Sequence, residues 1–141
     1  MRVLLDLNVV LDLFLVRKPW CDDSAAIWDA NSQRQIDAYL SSASFPTLFY
    51  LVRKHGGRSL AQRAVTDCLN SLTIVPVNVS SLRLAAMGPG GDFEDNLQVA
   101  SAVEAKLEAI VTRDPKGFAG SPVLVLTPAE LLARLPKAPD A

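Results

Sequence analysis

Four carboxylates in this 141-residue chain stand where a charge is costly or where several charges would crowd one another. Asp6 closes the apolar run VLLDL, Asp92 and Asp95 open a helix-forming stretch, and Asp114 follows the apolar run EAIVT by two residues. An ionised carboxylate at the end of a buried strand is expensive unless it is paired or bound to a metal. Residues three apart on a helix share a face, so Asp92 and Asp95 point the same way. Two carboxylates about 4 Å apart repel by roughly 4 kcal/mol at an effective dielectric near 20, so a group of three or four calls for a cation or a shared proton. Oxygen ligands with no thiolate or imidazole nearby suit Mg²⁺ or Mn²⁺. Such an ion can acidify a bound water and neutralise charge on a scissile phosphate.

Each acid also has an ordinary structural role open to it. Asp92 fits a helix N-cap, and Asp95 at the third helical position favours the helix dipole. Asp114 before Pro115 reads as turn chemistry. Glu94 is expected to face solvent, and Asp12 to be a surface charge on a helix. Asp6 is the hardest to account for without a partner or an ion.

The elements that must carry these residues alternate. Strands are expected at 3–7, 36–41, 73–77, 108–112 and 122–126. A helix with Asn8 as N-cap follows the first strand, burying Val9, Val10, Leu13 and Leu15. A second starts near Asp22 with Ala26, Ile27 and Ala30 inward. Ser44 is placed to cap FPTLFYLVRKH, which Gly56-Gly57 ends. Leu60, Ala64, Cys68 and Leu72 recur every fourth residue in the next helix, and SSLRLAAM forms a short one. GPGG breaks the chain before the acidic helix, expected to reach about Leu107. Thr127, Pro128 and Glu130 make a capping box for the last helix. Apolar strands alternating with helices predict an α/β fold, a three-layer α/β/α sandwich on a parallel sheet of four to five strands. In such a sheet the strand C-terminal ends share one edge, where ligands bind. Asp6, Asp95 and Asp114 are all expected there.

Composition narrows the function classes. The length suits one domain, 1–141, and half the residues are hydrophobic, which excludes disorder. A net charge of -1 offers no bulk attraction for a polyanion, so RNA contacts must be local. The stretch RKHGGR with Arg53, Lys54 and Arg58, then Arg63, and Arg113 and Lys116 in RDPKGF, are the cations available; a solvated helix end accounts for the first group as well. His55 reads as a surface residue, and Trp20, Trp28 and Phe49 as core or interface rather than base-stacking platforms. Cys21 and Cys68 have no metal-ligand spacing, and a reducing cytoplasm is expected. Asp6 and Asp12 interrupt the apolar N-terminus, so neither a leader nor a membrane span is expected.

Taken together, LLDLNVVLDLFL, DFEDNLQVASAVEA and IVTRDPKGF resemble, in order and over nearly the whole chain, the three signatures of a PIN domain. The resemblance implies a metal-dependent ribonuclease site using Mg²⁺ or Mn²⁺, with catalytic Asp6, Asp95 and Asp114 and with Asp92 beside them as a further metal ligand or as a cap. Asn8 and Thr112 match the family's polar neighbours of these acids. It also implies RNA as substrate, an antitoxin protein as partner, and a homodimer, for which Phe14, Trp20 and Trp28 look exposed. One departure stands out: the family's usual glutamate on the helix after the second strand falls at Thr47, and a hydroxyl is the weaker ligand. An alternative follows, a catalytically weak or inactive PIN-like module that binds RNA or protein. A haloacid-dehalogenase-type phosphatase would need a second carboxylate at Asn8, and a response-regulator receiver an early acidic pair; the sequence has neither.

Overall fold

A computed structural model describes residues 1–136. Along them run β1 Arg2–Leu5, α1 Leu7–Phe14, α2 Cys21–Ser32, β2 Asp37–Ser41, α3 Phe45–Gly56, α4 Arg58–Ser71, β3 Thr73–Val75, α5 Val79–Ala86, α6 Phe93–Glu104, β4 Ala109–Val111, β5 Leu124–Leu126 and α7 Pro128–Ala133. The five strands are parallel in the order β3-β2-β1-β4-β5. The chain therefore fills one side of β1 first and returns to fill the other. That reversal opens a crevice at the C-terminal ends of β1 and β4, the place where open parallel sheets bind ligands.

Alternation along the strands builds two cores. Val3, Leu5, Ala38, Leu40, Ala109 and Val111 face the layer of α1, α2, α3, α4 and α7. Leu4 and Ile110 face the opposite side with Ala102 and Leu107 at α6. Each fully buried aliphatic side chain contributes about 1.5–3 kcal/mol, so both faces hold the sheet edge in place. No helix among the described residues is long and apolar enough to cross a membrane.

Several boundaries differ from the sequence expectations for local reasons. β1 stops at Leu5, and Asp6 (φ -63, ψ 144), not Asn8, is the N-cap residue of α1. Ser44 occupies the N-cap position of α3 but its side chain makes no cap: a 3-10 turn at Ser42–Ser44 runs straight into the helix, and Ser41 Oγ caps that turn by accepting from Ala43 N–H at 3.2 Å. α6 ends at Glu104, before a turn in which Lys106 adopts φ 55. Leu13 and Leu15 are only half-buried, and Ala26 is exposed. The capping box of α7 forms as expected, with Glu130 N–H donating to Thr127 Oγ1 at 3.2 Å.

Candidate metal centre

Asp6 leaves β1 with its amide donating to Val111 O at 2.9 Å, so β1 and β4 are zipped up to the last residue before the crevice. Its carboxylate is not spent on capping. Oδ2 accepts from Thr112 Oγ1–H at 2.9 Å, and the same hydroxyl accepts from Asp114 N–H at 3.1 Å. Thr112 is fully buried. One hydroxyl thus fixes a side chain from β1 and the backbone after β4. Burial raises the pKa of Asp6, opposed by the Thr112 hydrogen bond, the Leu7 and Asn8 amides and the Arg113 charge.

The other wall is the mouth of α6. Asp92 is its N-cap, and Oδ1 accepts from Asp95 N–H at 3.1 Å, so the ordinary capping reading of Asp92 holds. Asp92 still lines the cleft. Burial, then the charges of Asp92, Asp6, Asp114 and Glu94, push the Asp95 pKa up to about 6. Glu94 is exposed, as expected, yet it sits on the rim rather than away from the site.

The cleft between these walls measures ≈ 550 Å³ and contains Asp6, Asp92, Asp95 and Asp114 together with Asn8, Thr47 and Thr112. All four sequence-derived acids and all three supporting residues therefore converge. Thr47 is exposed on the α3 wall, and nothing acidic takes its place there. Among the described residues no three His, Cys, Asp or Glu side chains are close enough to form a ready-made metal cluster. The carboxylates ring the cleft instead of touching.

Two residues that the sequence reading missed shape this ring. A Cβ on Gly117 would lie 2.8 Å from Asp95 Oδ2, so any other residue there would make that carboxylate move away; Asp114 Oδ2, at 3.9 Å, would be in ordinary contact. Gln98, one turn beyond Asp95, lines the cleft with a buried Oε1 that has no hydrogen-bond partner. The donors are all oxygen, one of them unpartnered, around a hollow that a methyl group would fill; this set fits a hard divalent cation. Asn96 is also structural here: it brackets Gly90, accepting from its N–H at 3.2 Å and donating to its carbonyl at 2.9 Å, and so ties GPGG to α6.

The basic residues divide. Arg53, Lys54, Arg58, Arg63 and His55 are exposed, but none lines the cleft; Lys116 is exposed in the 3-10 turn just after Asp114. Arg113 is committed inward. Its Nε lies 3.2 Å from Asp12 Oδ2, and its guanidinium stacks 3.8 Å above the Trp20 ring. Asp12 is accordingly no surface charge: it is 1% exposed, beside nearby Arg17 and beside Arg113, a counter-charge that the local sequence does not reveal.

The PIN domain family matches residues 2–116, and the chain belongs to that family, which at a coarse level is one of nuclease-type hydrolases. No curated protein gives a significant match. Solved toxin–antitoxin structures share the fold. A toxin–antitoxin complex from Klebsiella pneumoniae is 22% identical with TM-score 0.68, over 89% of this chain and 97% of that one. VapBC2 from Rickettsia felis, bound to a DNA fragment from its promoter, is 19% identical with TM-score 0.67, over 90% and 98%. VapC20 of Mycobacterium tuberculosis, a sarcin-ricin loop cleaving toxin, is 11% identical with TM-score 0.63, over 77% and 86%.

Proposed function

We propose that the cleft is the active site of a metal-dependent ribonuclease, the toxin partner of an antitoxin protein. The observation that carries this reading is the convergence of Asp6, Asp92, Asp95 and Asp114 on one cleft, close enough for the other three to raise the Asp95 pKa. Asp6, Asp95 and Asp114 hold Mg²⁺ or Mn²⁺, with the uncapped side of Asp92 as a further ligand. When bound, such an ion acidifies water and neutralises phosphate charge. The protein's own part is orientation. Thr112 holds Asp6 and the Asp114 backbone in one frame, and Gly117 leaves room for the Asp95 carboxylate. Lys116, next to this frame, offers a cation to the RNA backbone. An antitoxin is supported by the shared fold with chains solved in toxin–antitoxin complexes.

The test is cleavage of RNA by the purified chain with Mn²⁺, against the same reaction in excess chelator and with Asp114→Asn. Cleavage only by the wild type with metal is the expected result; cleavage that survives chelation contradicts it. One observation favours the second reading, a binding module with little activity: the α3 wall of the cleft presents Thr47 where the family's usual glutamate would stand. The proposed homodimer needs a different face from the one the sequence suggested. Phe14 and Trp28 pack edge to face, with centroids 5.7 Å apart, and leave only Trp20 exposed. Self-association moves to the end of α5, where Leu82 and Leu84 are exposed together with Met87, its C-cap residue. Sedimentation of Met87→Glu as a monomer beside a dimeric wild type is the expected outcome, and a monomeric wild type would refute the dimer.

A further inference from the structure

We infer that Asp12, Arg113 and Trp20 form a positioning set that aims Asp114 into the cleft. The inference rests on the cleft being the metal site, but the contacts among Asp12, Arg113 and Trp20 lie outside the cleft. Asp12 sits in the middle of α1, 1% exposed, and does not line the cleft. A buried carboxylate is a poor way to stabilise a helix, because an apolar residue of similar volume is often as good or better. Here both salt bridges found among the described residues end on this one side chain, Arg113 at 3.2 Å and Arg17 at 3.7 Å. Something other than bulk stability accounts for an acid at this place.

Arg113 is the residue that connects it to the site. It lies between Thr112 and Asp114, at the bend where the chain leaves β4, and the two side chains at this bend enter different grooves. Thr112 turns to the cleft, its amide donating to Leu126 O at 2.9 Å and its hydroxyl serving both Asp6 and the Asp114 amide. Arg113 turns the other way, into a groove lined by Trp20, Asp23 and Thr127, where its Cζ stacks 3.8 Å above the Trp20 ring. The planar guanidinium is thus gripped by a charge from α1 and an aromatic face at the start of α2. With Arg113 fastened behind the sheet edge and Thr112 fastened in front of it, the peptide between them and Asp114 has little freedom to rotate. Arg113 is a positioning residue: it touches neither substrate nor metal, and acts through its neighbour.

Two readouts separate positioning from plain structural support. The first is hydrogen exchange in the metal-free protein at the Asp114 amide, held only by the Thr112 hydroxyl, compared with the Thr112 amide, held in the sheet. The second is Mn²⁺ affinity by calorimetry. In Arg113→Gln the Asp114 amide should exchange about tenfold faster while the Thr112 amide is unchanged, and Mn²⁺ affinity should fall about tenfold, as for other residues that orient metal ligands. Arg113→Lys should fall between the two. Trp20→Leu changes an exposed residue and keeps the ion pair, so it should shift both readouts in the same direction by less. Unchanged Asp114 exchange and Mn²⁺ affinity in folded Arg113→Gln would overturn the inference, as would an equal loss of protection at both amides; should that variant not fold, the same results in Trp20→Leu decide it. If the wild type binds no Mn²⁺, the metal reading of the cleft fails, and the exchange comparison alone still decides the positioning role.

Discussion

Asp12 and Asp95 are both acids on helices flanking the same sheet edge, and in both burial raises the pKa. Their neighbours are opposite. Asp12 is sealed beside two arginines; Asp95 opens on a cleft shared with four other acids, whose charges push it up further. A carboxylate that holds another side chain in place is supplied with cations by the chain itself. One proposed to bind a cation from solution is left among its own kind. The counter-charge, more than burial, distinguishes a structural acid from a ligand.

The two acids should part most visibly in stability. Asp12→Ala strands Arg113 beside Trp20 and leaves a hole in α1. It should cost about 2–3 kcal/mol in urea unfolding, less than the roughly 3–5 kcal/mol of a fully buried pair because both arginines are partly exposed. Asp95→Asn should instead raise the melting temperature of the metal-free protein, since it removes one of several like charges, while Mn²⁺ affinity collapses. A destabilised Asp95→Asn with intact metal affinity would exchange the roles assigned to the two acids.

Adding charge heightens the same contrast. Thr47→Glu places a further carboxylate on the α3 wall of the cleft, so it should bind Mn²⁺ more tightly and melt lower in chelator than the wild type. Unchanged behaviour on both counts would mean that Thr47 does not act on the acids. Gly117→Ala should weaken Mn²⁺ binding several-fold with little change in melting, because its Cβ intrudes 2.8 Å from Asp95 Oδ2. Affinity equal to wild type in this variant would show that the hollow is not used.

The smallest effect expected is with pH. The folded Asp95 value, about 6, lies above its ordinary 3.8. Its contribution to stability is therefore complete below the ordinary value and is lost as pH rises through about 6. Metal-free wild type should melt higher at pH 5 than at pH 7, and Asp95→Asn should narrow that difference. A difference that is reversed, or unaltered in the variant, would contradict the shift.

The layout of strands and helices was legible because the apolar strands and helix breaks are strong signals: the parallel sheet, the capping box at Thr127 and the convergence of the acids on one edge all follow from them. Asp6 was legible because a charge closing an apolar strand is costly unless a partner or an ion meets it. Asp12 was not, because its nearer counter-charge, Arg113, comes from a loop far along the chain, and a helix read alone makes it one more solvated acid. Arg113, expected among the cations available to RNA, is paired inward with it for the same reason. Gly117 carries no signal of its own in DPKGF, because what a side chain there would meet is Asp95 of α6, and only the folded packing brings the two together. Phe14 and Trp28 looked exposed because the sequence does not say that α1 and α2 pack on each other.

In the proposed site Asp6, Asp95 and Asp114, with Asp92, share one cation. Calorimetric titration of Mn²⁺ into the wild type and into Asp6→Asn tests it most directly, because that change removes a charge and keeps the shape and a carbonyl oxygen to accept from Thr112. Saturable binding to the wild type and none to a folded Asp6→Asn is the predicted result. Equal affinity in the two proteins would contradict it.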